Sequence, residues 1–161
     1  GKKEASVAGM LFSGVVFAVM YVLKLQNMWL FLWLGAIGYL GLGFFNTVIW
    51  ANITDVIDDQ EVQTGHRDDG TVYAVYSFAR KVGQALAGGI GGWALQVIGY
   101  EPAAAAQTDA VRRGLYTTAT LVPAIGFFVV AAILWFVYPL DKRRVEKNVE
   151  ELKKKHLPAE H

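Results

Sequence analysis

Four long apolar stretches divide the chain, and polar residues gather mostly in the gaps between them. The stretches cover about 5–23, 29–53, 72–98 and 115–140. Each meets the roughly 20 helical residues that the hydrocarbon core of a bilayer, about 30 Å thick, requires. Runs such as AGMLFSGVVFAVMYVL and PAIGFFVVAAILWFVY lack the polar outer face that a soluble helix repeats every turn. They are apolar all round, which suits lipid, with backbone polar groups satisfied inside each helix. The pattern predicts an all-α membrane protein with a bundle of four transmembrane helices over 1–140 and a basic tail over 141–161. In that tail Asp141 is placed to cap a helix, and Val145, Val149 and Leu152 fall on one stripe of it.

The gaps differ in character. Residues 24–27 (KLQN) form a tight turn, Thr54 to Gly70 reads as a long polar loop, and Tyr100 to Gly114 is an Ala-rich loop containing Pro102. Lys2, Lys3, Arg67 and seven Lys/Arg of the tail fall on one side of the predicted bundle, against Lys24, Arg112 and Arg113 on the other. The positive-inside rule then puts both termini in the cytoplasm, with Arg112 and Arg113 as exceptions. Tyr21, Trp29, Trp33, Tyr100 and Tyr116 fit an outer aromatic belt, and Trp50, Trp135 and Tyr138 an inner one.

Composition narrows the function classes. Of 161 residues, 54% are hydrophobic and only 18% charged, below the roughly 25% of a soluble domain. A net charge of +1 gives no pull toward nucleic acid. The absence of cysteine removes disulfides and thiolate metal sites, and three isolated histidines support no metal site. No nucleophile–base pair is recognisable, so the chain does not read as an enzyme. Gly89 to Ala94 fits a dinucleotide fingerprint only on paper, because no strand precedes it. The start at Gly1, not Met, predicts a piece of a longer chain.

One pair of residues breaks the apolar pattern. Arg80 and Lys81 lie inside the third stretch, where a charge costs about 2.5–3.5 kcal/mol on insertion scales. A cavity, an anion or a counter-charge must receive such a group, which marks a chain that moves something across a membrane. Arg80 is expected to snorkel to the cytoplasmic side and Lys81 to face a cavity. Ser77, Lys81, Gln84, Ala85, Gly88 and Gly92 share a helix face that is polar in its first half and small in its second. On the second stretch, Tyr39, Gly43, Asn46, Thr47, Trp50 and Thr54 share another. These positions either bond helix to helix, at about 0.6 kcal/mol each, or line a cavity. Asn46 beside Trp50 favours the cavity, because an amide and an indole together grip a sugar. In the polar loop, Asp55, Asp58 and Glu61 share a face if the second helix continues, and Arg67 follows a turn at Gly65. They form either a cytoplasmic ion-pair gate or a solvated surface of little energetic weight.

The spacing D-x-x-D-x-x-E-x-x-T-G-x-R-x-x-G, present as Asp55, Asp58, Glu61, Thr64, Gly65, Arg67 and Gly70, is followed by VYSFARKVGQALAGGIGGWALQVIGY. This closely resembles the glycoside–pentoside–hexuronide:cation symporters, relatives of the melibiose carrier within the major facilitator superfamily. The ending PAIGFFVVAAILWFVYPLDKRRVEKNVEEL resembles that family's last span and tail. Those carriers have twelve spans in two halves, and this chain resembles the last four. The resemblance implies a place in a bacterial cytoplasmic membrane and partners in the bilayer, a sugar and the missing N-terminal helices of the same carrier. It further implies a coupling cation, sodium or proton, whose site lies mainly in the absent first half. Lys81 would correspond to the family's lysine near the sugar and cation sites, with Asn46 and Ser77 on cavity walls. One position departs: the residue after the second aspartate is usually aromatic and here is Asp59, which bears on loop packing more than on substrate. The alternative is a self-contained four-helix membrane anchor or scaffold with a basic cytoplasmic tail and no transport. A complete four-helix exporter is disfavoured because no Asp or Glu lies inside a span.

Overall fold

The computed structural model describes residues 1–156. They form five helices: α1 Lys2–Leu23, α2 Met28–Thr64, α3 Asp69–Val97, α4 Asp109–Phe136 and α5 Lys142–His156. Short polar side chains start four of them. Asn27 Oδ1 accepts from the backbone N–H of Trp29 and Leu30, Asp68 from Thr71, Thr108 from Val111, and Asp141 from Arg144 at 2.8 Å. Each satisfies a donor that the first helical turn leaves without an intrahelical partner. The predicted tail helix and its Asp141 cap are therefore present.

The helices are arranged side by side as α4–α1–α2–α3, with α5 against the far end of α2. α1 is the central element, and its buried side chains divide between two neighbours. Val7, Met10, Phe17 and Met20 pack with Ala124, Phe127 and Ala131 of α4 into one apolar cluster. On the other side, Gly9 and Ser13 meet Gly41 of α2, and Val16 and Phe17 meet Gly38. A Cβ on Gly41 would overlap the Gly9 carbonyl oxygen and Ser13 Oγ, so the two backbones pass at a separation that glycine alone permits here. Phe17 joins the faces, with ring centroids 5.0 Å from Tyr39 and 5.7 Å from Phe127. Tyr116 of α4, expected in an outer aromatic belt, lies half-buried at the level of the α1–α2 turn. Its hydroxyl donates to the Met20 carbonyl and accepts from Leu25 N–H, which fastens the α1–α2 turn.

α1, α2 and α4 are long and apolar enough to cross a membrane. α3 is long enough at 29 residues, but Ser77, Arg80, Lys81 and Gln84 keep it more polar than the other three. The expected loop from Thr54 to Gly70 is corrected: α2 continues unbroken to Thr64 and ends at Gly65 with φ 78°. The stretch TDVIDDQEVQT holds no proline and no glycine, so nothing stops the helix before Gly65 supplies a left-handed cap. At 37 residues, α2 is roughly 55 Å long and outreaches a bilayer core. α4 likewise begins at Asp109, inside the expected loop, and ends at Phe136, before the expected limit at Leu140.

The glycine contact generates the first prediction. Gly41→Ala must push α1 and α2 apart and should destabilise the bundle by about 1–3 kcal/mol. Gly126→Ala, where nothing lies within 4 Å, should be silent. Thermal unfolding of both variants in detergent checks this, and equal midpoints would refute the close approach.

Candidate functional site

Two groups of polar side chains stand out, one along the α2–α3 seam and one at the end of the bundle that carries α5. The seam is thin. α3 buries none of its residues and meets α2 chiefly through aromatic rings. Trp50 lies 6.3 Å from Tyr73 and 5.7 Å, edge-on, from Tyr76, between ring centroids. Trp50 nevertheless stays 50% exposed. Asn46 lies one turn earlier on the same face of α2, and Ser77 follows Tyr76 on α3. Lys81 and Gln84 lie about one and two turns beyond Ser77. All four are exposed. The seam thus gathers Asn46, Trp50 and Ser77 near one level and leaves Lys81 and Gln84 open farther along. Arg80 reaches back one turn toward the loop end of α3, where its guanidinium donates to the Tyr76 hydroxyl at 3.4 Å. That is the direction expected of a snorkelling arginine.

The second group is an ionic layer on the protruding end of α2. Arg67 Nη1 donates to Asp58 at 2.8 Å and to Glu61 at 3.2 Å, while Nε lies 3.0 Å from Asp69. The hydrogen bonds that Arg67 donates to Asp58 and Glu61, in that order, hold its guanidinium above its ordinary pKa. Glu61 is 3% exposed and also faces Lys155 of α5, at 3.7 Å. Lys155 donates in addition to the Gly65 carbonyl at 3.1 Å. Three of the four residues expected to form a gate are therefore together. Asp55 is not with them: it is buried against α1 and accepts from Lys2 at 2.7 Å. The reason is helical drift, since two three-residue steps turn the face by about 120°. Asp55 consequently points at α1 while Glu61 points at the loop.

Asp59, which departs from the resembled pattern, is the tie between α2 and α5. Arg144 grips both its oxygens at 2.8 Å, and Asn148 donates at 2.8 Å. Gln63 donates as well, one turn along α2. Burial alone would push the Asp59 carboxyl up, but the hydrogen bonds from Arg144 and Asn148 outweigh it and hold it below the usual value. Beside it, Tyr138 donates to the Asn52 carbonyl at 3.4 Å. Burial, then the charges of Asp55 and Asp59, push its hydroxyl up to about 12, so it stays a neutral donor. Lys3 closes the layer by donating to the Tyr138 carbonyl at 2.7 Å. The pairing of Arg144, Asn148, Lys155, Tyr138 and Lys2 with α2 escaped the sequence reading. No short-range spacing links them to α2, since the partners lie between 53 and 94 positions apart. Among the described residues no cluster has the makings of a metal site.

Residues 1–142 match the family described as MFS/sugar transport protein. The chain is 32% identical over 155 residues to a protein of Bacillus subtilis named as the uncharacterized symporter YjmB, covering 96% of this chain and 33% of that one. It is 33% identical over 152 residues to the glucuronide carrier protein homolog of Escherichia coli, covering 94% and 33%. The chain thus spans about a third of the length of these relatives. No solved structure matches it.

Replacing Asp59 by Ala removes a bidentate acceptor and should weaken α5 docking by about 1.5–3 kcal/mol, as for hydrogen bonds to charged groups. Hydrogen exchange at neutral pH should then show α5 losing at least about tenfold of its protection. With the folded pKa of Asp59 depressed, its contribution is complete above the unfolded value near 4 and disappears as pH falls through the lower folded value. A spin-label distance between His66 and Glu150 should therefore hold from pH 8 to pH 5 and broaden only below about pH 4.

Proposed function

The chain belongs to the MFS/sugar transport protein family, and from that premise we propose that it is the C-terminal part of a carrier. This carrier takes up a glycoside, pentoside or hexuronide by alternating access, driven by a sodium or proton gradient. The observation that carries the reading is α3, a long helix with no buried residue and with a polar face over Ser77, Lys81 and Gln84. A helix of this kind needs both a polar interior and further helices to complete it. The length of the relatives supports the second requirement, since this chain covers a third of them. In this reading Lys81 donates to sugar hydroxyls or to a uronate carboxylate, or balances acidic cation ligands on the other half. Trp50 stacks on the sugar ring, while Asn46, Ser77 and Gln84 supply hydrogen bonds.

Arg67 with Asp58 and Glu61 then acts as the cytoplasmic gate, holding α3 against α2 when the inner side is closed. Both termini and α5 lie in the cytoplasm, consistent with the charge asymmetry of the sequence. The bilayer surrounds α1 and α4, which expose Leu11, Val15, Val19, Val122 and Val129. Rocking of one half against the other moves the midplane site between the two faces.

Lys81→Ala in the carrier should lower gradient-driven sugar uptake by more than about tenfold, the effect of losing a charged hydrogen bond. Expression and thermal midpoint should be unchanged, because Lys81 is exposed and makes no hydrogen bond or ion pair among the described residues. Uptake within twofold of the parent would remove Lys81 from the mechanism.

A further inference from the structure

The end of the bundle away from α5 holds a second polar feature. An open cavity of about 660 Å³ lies between the α1–α2 turn and the first turns of α4. Lys24, Arg112 and Arg113 line it, together with Tyr21, Gln26 and the carboxylate of Asp109. Asp109 reaches Arg112 at 3.6 Å, with side-chain exposures of 83% and 72%. An ion pair so exposed neutralises little. Neither Lys24 nor Arg113 has an ion pair among the described residues.

Three separate rules disfavour cations at this place. Arg112 closes the first turn of α4 and Arg113 opens the second, near the end where the helix dipole is positive. All three lie on the side opposite the basic tail, against the charge asymmetry of membrane proteins. They also crowd like charges around one cavity. A single bound anion removes all three objections.

The surroundings indicate where that anion comes from. α1 is 22 residues long, so its far end lies roughly 33 Å from Lys2, about the thickness of a bilayer core. The cavity is therefore at headgroup depth. Its neighbours Val22, Leu23, Met28 and Trp29 are all more than half exposed, an apolar rim suited to acyl chains. The lining residues come from α1, the α1–α2 turn and α4, and none belongs to the α2–α3 seam, so the cavity is separate from it. We propose that Lys24, Arg112 and Arg113 bind the phosphate of an anionic phospholipid headgroup in the leaflet opposite α5. Basic pockets between transmembrane helices hold such headgroups by charge-assisted hydrogen bonds. The site depends on membrane insertion and is independent of which solute is carried.

The test is thermal unfolding of the delipidated carrier in mild detergent, with phosphatidylglycerol, phosphatidylcholine or inorganic phosphate added. Phosphatidylglycerol should raise the midpoint by several degrees, and the other two should not. Exchanging Lys24, Arg112 and Arg113 for Gln should weaken the apparent lipid affinity at least about tenfold. Arg113→Gln alone should weaken it measurably, which keeps the test decisive should the triple variant fold poorly. Exchanging Lys142 and Lys147 of α5 for Gln should leave the response intact. An unchanged response in both cavity variants, or an equal response to phosphatidylcholine, overturns the proposal. A full shift from inorganic phosphate without lipid overturns the lipid assignment by moving the site to a soluble anion.

Discussion

The close passage of α1 and α2 is the constraint from which the rest of the bundle follows. Because Gly41 has no side chain, the Gly9 carbonyl and Ser13 can sit against its backbone. Within lipid there is no hydrophobic drive between helices, so such packing is a main source of association. It leaves the opposite flank of α1 free for the larger residues that interlock with Ala124, Phe127 and Ala131 of α4. Ala124 and Ala131 leave room on α4 for the larger residues of α1, while Gly14 of α1 leaves room for the Phe128 ring of α4, which lets the two surfaces interdigitate. α3 has no comparable seat. Its glycines at 83, 88, 89, 91 and 92 meet nothing within 4 Å, and it is held to α2 by the rings of Tyr73 and Tyr76 and, at its start, through Arg67, which pairs with Asp69 as well as with Asp58 and Glu61.

The ionic layer works by a different principle. Its carboxylates are buried and its cations are largely exposed: Glu61 and Asp55 lie beneath Arg67, Lys155 and Lys2. Long cationic side chains can cover a carboxylate while keeping their heads near water. The carboxylates therefore need not lose all hydration at once, and the layer avoids the full penalty of a buried pair. The acidic residues of α2 divide among three neighbours: Asp55 serves α1, Asp58 and Glu61 the loop into α3, and Asp59 with Glu61 the tail helix. One helix end thus collects the ends of three others.

Much of the fold was legible in the sequence because membrane helices advertise themselves by length and apolarity. The turn at Lys24, the cap at Asp141 and the stop at Gly65 were all readable from local chemistry. The helical run from Thr54 to Thr64 was misread because polar residues outside a membrane look like loop whether or not they are helical. What decides the matter is the absence of a breaker, and TDVIDDQEVQT contains none. The Arg67 cluster was foreseen from spacing. The partners of Asp59 and Asp55 were not, since charges that meet across 85 and 53 positions leave no periodic trace. Tyr116 was placed near the outer side by its amphipathic nature, which carries no trace of its bond to the end of α1.

The unbroken length of α2 has a mechanical consequence. From Gly41, where the helix is pinned, to Asp59 is 18 residues, or about 27 Å. A tilt of only about 10° about that pivot would sweep the Asp59 end through roughly 5 Å. The ion pairs there are 2.7–3.7 Å long, so a swing of that size exceeds their reach. A rigid lever of this proportion turns a slight rotation within the bilayer into an all-or-none release at its tip.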